Sequence, residues 1–139
     1  MKSRVLETIK KHNQGYNCCQ SVICTYADLL GIDEKTAFKI SEGLGLGIGK
    51  MQRTCGAVTA MVLACGLKNS DGDLINPSTK RKTYDLSYDL ILEFEKNNET
   101  SICSELKKNC KKSCNECIMD GARIIEKMLF KGQFEEIDE

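Results

Sequence analysis

"RTCGAVTAMVLACGLK", residues 53–68, carries charge only at its two ends, in a chain that is 29% Asp, Glu, Lys and Arg. So long an uncharged run, without Pro and ending on Gly66 and Lys68, reads as a helix buried on all sides. Gly56, Ala60 and Ala64 recur every four residues along it, so one face is smooth enough for a neighbouring helix to come close. The segment 55–67 is therefore expected to be the central helix of the fold. Cys55 stands at its start and is expected at an exposed, electropositive mouth, placed for chemistry. Cys65 lies deep in the run and is expected to serve packing, as free cysteine often does.

Every other periodic segment is helical, and no stretch alternates in the manner of a strand. Ser3 can cap a first helix with Val5, Leu6 and Ile9 on one face. Asn17 opens a second, with Gln20 at the capping-box position and Val22, Tyr26, Leu29 and Leu30 as its stripe. Gly31 stops that helix, and Asp33 caps a third running to about Glu42. "NSDGDLINPS" (69–78) is a loop holding the only proline. A fifth helix is expected from about Ser78 to Lys96, with Tyr84, Tyr88, Ile91 and Leu92 on one face. A short one from Ser101 to about Asn109 and a long one from Ser113 to about Lys131 follow, the last with Ile118, Ala122, Ile125 and Leu129 in phase. The expectation is an all-α single-domain bundle of six or seven helices over residues 1–131, with "GQFEEIDE" (132–139) as a frayed acidic tail.

Composition narrows the function. At 139 residues the chain suits one domain with a real core. Twenty basic residues balance twenty acidic ones, so no overall charge draws the chain to nucleic acid or an anionic membrane. The first residues lack the apolar core of a signal peptide, and no run is long enough to span a bilayer. A cytoplasmic protein, not embedded in a membrane, is expected. Nine cysteines are many for a reducing compartment, and their odd number argues against a complete set of internal bridges. Metal or redox chemistry is the better reading.

Two motifs are set aside. "GLGLGIG" (43–49) lacks the preceding strand and the βαβ unit that a dinucleotide fingerprint needs, so it reads as a hinge between closely packed helices. "CKKSCNEC" (110–117) has the C-x3-C-x2-C spacing of radical enzymes that use S-adenosylmethionine, but the chain is far too short for their barrel. Ile118 follows Cys117 where a c-type haem site needs histidine, so no haem is expected. His12 is the only histidine, which excludes a histidine-rich zinc site.

The cysteines fall at expected helix starts: Cys18 after Asn17, Cys55 after Thr54, Cys103 two after Ser101, and Cys114 after Ser113, with Cys117 one turn further in. Unpaired backbone N–H groups at such positions favour thiolate over thiol. Lys107, Lys108, Lys111 and Lys112 either add positive charge there or form a solvated face.

With these residues in view, the chain resembles the redox-active C-GCAxxG-C-C family along nearly its whole length. "YNCCQSV", the glycine stretch, "CGAVTA", "SICSEL" and the second cysteine of "CNEC" carry the resemblance, although Ala60 stands where the family motif ends in glycine. It picks out Cys18, Cys55, Cys103 and Cys117 as the family's four cysteines and implies a redox role. Cys19, Cys110 and Cys114 fall outside that set.

The leading expectation is a cytoplasmic redox or electron-transfer protein with those four cysteines converging on one site. They can ligate an iron–sulfur cluster, or a zinc ion. Empty, they can form and break disulfides, with Cys55 and Cys18 as the reacting thiols. As a dithiol oxidoreductase the chain is an enzyme; as a cluster carrier it need not be. The alternative is a non-enzymatic sensor or adaptor with structural zinc. A redox partner protein is expected in the first case, and the apolar helices would permit a homodimer.

Overall fold

The computed structural model describes residues 1–135, and among these it forms seven α-helices and no β-strand. They are α1 (Val5–Asn13), α2 (Cys18–Thr25), α3 (Glu34–Ser41), α4 (Gly56–Asn69), α5 (Lys80–Asn98), α6 (Cys103–Lys108) and α7 (Cys114–Ile124). Among the described residues, no helix is long and apolar enough to cross a membrane.

α4 lies at the centre and packs against α2, α5 and α7. Gly56, Ala57, Val58, Ala60, Met61, Ala64 and Cys65 are all buried, as the uncharged run predicts. Small residues set the helix separations. A Cβ on Gly121 of α7 would lie only 3.1 Å from the Ala57 Cβ and 3.2 Å from its carbonyl oxygen. At the α4 start, a Cβ on Gly56 would lie 2.9 Å from the Cys18 Cβ of α2. The Gly56 contact leaves no room for a side chain, and the Gly121 contact would need its neighbour to give by a few tenths of an ångström.

α2 opens with the expected reciprocal cap: the Gln20 N–H donates to Asn17 Oδ1, and the Asn17 N–H to Gln20 Oε1, both at 2.9 Å. It ends sooner than its stripe suggests. After Thr25 the chain tightens into a 3₁₀ turn, Ala27–Leu30, and stops at Gly31 in the left-handed region. Tyr26, Val22 and Leu30 still face the core. In α7, Ile118, Ala122, Ile125 and Leu129 are buried in phase, and the helix finishes as a π turn, Ile125–Leu129.

α5 corrects the sequence reading. Its inner face is Ser87, Leu90, Phe94 and Asn98, whereas Tyr84, Tyr88 and Leu92 are exposed and Ile91 only half-buried. Two helical stripes fit this segment, and the buried one contains polar residues with partners. Asn98 Nδ2 donates to the Phe94 carbonyl (2.9 Å) and to Asp120. In α1, likewise, Leu6 faces solvent while Val5 and Thr8 are buried.

A buried polar knot joins the two ends of the chain. Glu126 accepts from the Arg4 backbone N–H (2.7 Å) and from the Tyr26 hydroxyl. Phe134 packs edge-on against Tyr26 and Phe130, and the Glu135 N–H donates to the Met1 carbonyl at 2.7 Å. The stretch expected to fray from residue 132 is thus tied down through 135; residues 136–139 lie outside the described part. Replacing Glu126 by Ala strands a buried hydroxyl and a backbone N–H, which costs about 2–3 kcal/mol. Urea unfolding should show that loss for Glu126→Ala and a smaller one for Glu126→Gln, which keeps an acceptor.

Candidate functional site

Five cysteines line one small cavity: Cys18, Cys55, Cys103, Cys114 and Cys117. The four that the resemblance selects are therefore together, and Cys114 joins them. The helix-start argument placed Cys114 on equal terms with the others; the resemblance, which favours Cys117 in that segment, passed it over.

Each sulfur is delivered by a separate local device. Cys18 is the first residue of α2, directly behind the Asn17 cap. Cys55 is itself the N-cap of α4, one residue earlier in the chain than the helix proper. A short antiparallel bridge, Thr54 to Ile102, sets Cys55 alongside Cys103. Its bonds run from the Cys55 N–H to the Ser101 carbonyl (2.8 Å) and from the Cys103 N–H to the Arg53 carbonyl (2.6 Å). Ser113 caps α7, accepting from the Glu116 N–H at 3.1 Å, so Cys114 and Cys117 enter from the first turn of that helix.

The glycine stretch forms the cavity's remaining wall through Leu46 and Gly47. Leu46, Gly47, Ile48, Gly49, Lys50 and Gln52 all have positive φ. For the non-glycine members this conformation is unfavourable, most of all for β-branched Ile48. Four backbone bonds hold the turn: Gly49 N–H to Gly43 O (2.9 Å), Met51 N–H to Ile48 O (3.0 Å), Gln52 N–H to Leu46 O (3.0 Å) and Arg53 N–H to Gly47 O (2.9 Å). Gly47 is obligatory, since a Cβ there would sit 2.5 Å from the Arg53 nitrogen. Asn17 couples this loop to α2 by donating from Nδ2 to the Glu42 carbonyl at 2.9 Å.

Covered in this way, Cys55 is buried rather than exposed at a mouth, with 5% of its surface accessible. Cys114 is the more open thiol, at intermediate exposure. The cavity is about 20 Å³ and is flanked by Lys107 and Lys112. That is room for about one water-sized group.

The sulfurs interact in pairs. A hydrogen bond from Cys18 brings the Cys114 thiol down to about 6, against the cost of burial, with Lys107 and His12 adding positive potential. Cys18, as donor and more deeply buried, is pushed strongly up. A hydrogen bond from Cys117 likewise holds Cys55 below the ordinary thiol range, again against burial. The backbone N–H groups of Ala57 and Val58 favour the Cys55 thiolate further, although no side-chain capping bond closes. Cys117 is pushed strongly up in return. Cys103 is raised by burial, with Lys107 opposing. Each pair thus joins one thiol shifted down with one shifted up. Among the described residues, no three of His, Cys, Asp or Glu stand in a ready-made metal-holding arrangement.

The other four cysteines are placed apart. Burial pushes Cys19 up to about 12 and Cys24 up to about 11. Cys65 is fully buried and also raised, with Ser87 as its neighbour, in keeping with a packing role. Cys110 lies nearer the surface and contacts Glu99 at 3.5 Å.

A family model described as "Putative redox-active protein (C_GCAxxG_C_C)" matches residues 16–128, a span that contains every one of these cysteines. No curated protein matches the chain. No solved structure matches it either.

The paired arrangement has a pH signature. Below about pH 6 Cys114 is protonated, so its alkylation rate should fall about tenfold per unit as pH decreases and level off above pH 7. Cys18→Ala removes the donor, and the half-point should then move up toward the ordinary value of about 8.5. A wild-type half-point already near 8.5 would contradict the pairing.

Proposed function

Because this chain belongs to the C_GCAxxG_C_C family, whose model it matches along most of its length, we propose that it is a thiol–disulfide oxidoreductase working through its two cysteine pairs. The observation that carries the reading is the convergence of Cys18, Cys55, Cys114 and Cys117 on one small cavity, where one thiol of Cys114–Cys18 and one of Cys55–Cys117 is shifted down and its neighbour up. A lowered thiol is the nucleophile, and its neighbour in the same cavity resolves the product.

The electron balance is simple. The Cys114 thiolate attacks one sulfur of a substrate disulfide and expels the other half as a thiolate. Cys18 then attacks Cys114 Sγ in the mixed disulfide and displaces the second half. Two electrons pass to the substrate, and the Cys18 proton goes to the departing sulfur. The more buried Cys55–Cys117 pair can pass a further two electrons outward by exchange within the same cavity. Lys107 and Lys112 stabilise the negative sulfur during each exchange. A redox partner protein in a reducing compartment such as the cytoplasm would return the pairs to the dithiol state.

A second reading rests on Cys103, the fifth sulfur, which is in neither pair. Donor chemistry of this kind suits an iron–sulfur cluster held by Cys18, Cys55, Cys103 and Cys117, or a structural zinc ion at the same residues. A cluster would supply one-electron transfer, and zinc only rigidity. Either would require the pairs to separate, and the small cavity to open for a cluster.

A dipyridyl disulfide tests the leading reading. Reduced, metal-free protein should release two thiopyridones per pair and retain no pyridyl adduct on the paired cysteines. In Cys18→Ala the reaction should stop with the adduct on Cys114. Adducts retained on both Cys18 and Cys114 of the wild type would overturn the exchange mechanism. Brown charge-transfer absorption in anaerobically prepared protein would favour the cluster instead, and colourless protein with bound zinc the structural site.

A further inference from the structure

Among the described residues, the outer flank of α5 is left largely uncovered. Tyr84, Tyr88 and Leu92 recur every four residues, with 65%, 64% and 47% of their surfaces accessible. A stripe with two tyrosines and a leucine is a costly surface to leave in water, and such contiguous apolar strips mark interaction sites. Its ends are oppositely charged. Arg81 lies one heptad before Tyr88 and Glu95 one heptad after it, both on the same flank as the stripe.

That order is its own complement when reversed. We propose that α5 is a homodimer interface, in which two copies pair antiparallel about a two-fold axis passing at Tyr88. A two-fold contact brings the same patch of each copy together, so position 88+n faces 88−n of the partner. Tyr88 then meets Tyr88 of the second copy, Tyr84 meets Leu92, and Arg81 meets Glu95, each of the latter two pairings occurring twice. A parallel pairing would oppose Arg81 to Arg81 and Glu95 to Glu95. Glu95 already accepts from the Ser101 hydroxyl at 2.7 Å through Oε2, which leaves Oε1 for the arginine. Leu74 and Ile75, almost fully exposed just before α5, point the same way: antiparallel pairing carries this segment toward the end of the partner's α5.

Sedimentation equilibrium of the full chain, reduced and in moderate salt, tests the assignment. Wild type should reversibly dimerise, and Tyr88→Arg, which places two like charges on the axis, should weaken the dimer by about 30-fold or more. Tyr88 is a surface residue, so circular dichroism of that variant should match wild type. Arg81→Glu and Glu95→Arg should each weaken association about tenfold, and combining them should restore it. Restoration by the double exchange is specific to this pairing, since an interface elsewhere would not read the swap. A wild type that stays monomeric at high micromolar concentration, a dimer that survives Tyr88→Arg, or a double variant no better than the singles would each overturn the proposal.

Discussion

A Cβ on residue 56 would come within 2.9 Å of the Cys18 Cβ and 3.0 Å of the Cys19 backbone nitrogen. That close approach of the α2 start to the α4 start governs the rest of the site. Because Gly56 offers no side chain, Cys18 and Cys55 line the same cavity although 36 residues lie between them in sequence. α7 completes it through its own close contact at Gly121 and Ala57, which carries Cys114 and Cys117 to the same end of the central helix. The Thr54–Ile102 bridge then adds Cys103. Packing of small residues, rather than any single strong bond, therefore decides where the sulfurs go.

Bringing five thiols into a cavity of this size raises an electrostatic conflict. Burial favours neutral thiols, whereas reaction requires thiolates. Pairing eases it: the neighbouring thiol shifts Cys114 and Cys55 down against the cost of burial, and at Cys114 Lys107 and His12 help. Cys19, Cys24 and Cys65 lack such a partner sulfur and are simply held neutral by burial. The same element type thus serves packing at one end of α4 and chemistry at the other, with the difference made by neighbours. The left-handed loop at Leu46–Lys50 accepts an unfavourable backbone in order to close over the reactive end.

Helix number, the buried centre at α4 and the convergence of Cys18, Cys55, Cys103 and Cys117 were all legible in the sequence, because they rest on apolar period, capping residues and a family motif. The inner face of α5 was not. Its buried stripe includes Ser87 and Asn98, which meet Cys65 of α4 and Asp120 of α7, neighbours that cannot be seen locally. Cys55 looked exposed because a helix start usually meets solvent; here a run of positive φ that includes Leu46 and Ile48 covers it, and nothing in those residue types announces such a turn. Cys114 carried the helix-start signal but not the family one, and only the packing of α7 against α2 and α4 brings it to Cys18.

In the proposed mechanism the site works as two specific thiol pairs. Mild oxidation of the native, metal-free protein with a substoichiometric diazenecarboxamide oxidant, followed by alkylation under denaturing conditions and mass spectrometry, reads the pairing directly. Cys18–Cys114 and Cys55–Cys117 disulfides should dominate, with Cys19, Cys24 and Cys65 recovered as alkylated thiols. Dominant links from Cys103 or Cys110 to either pair, or crosslinks between Cys18 and Cys55, would contradict it.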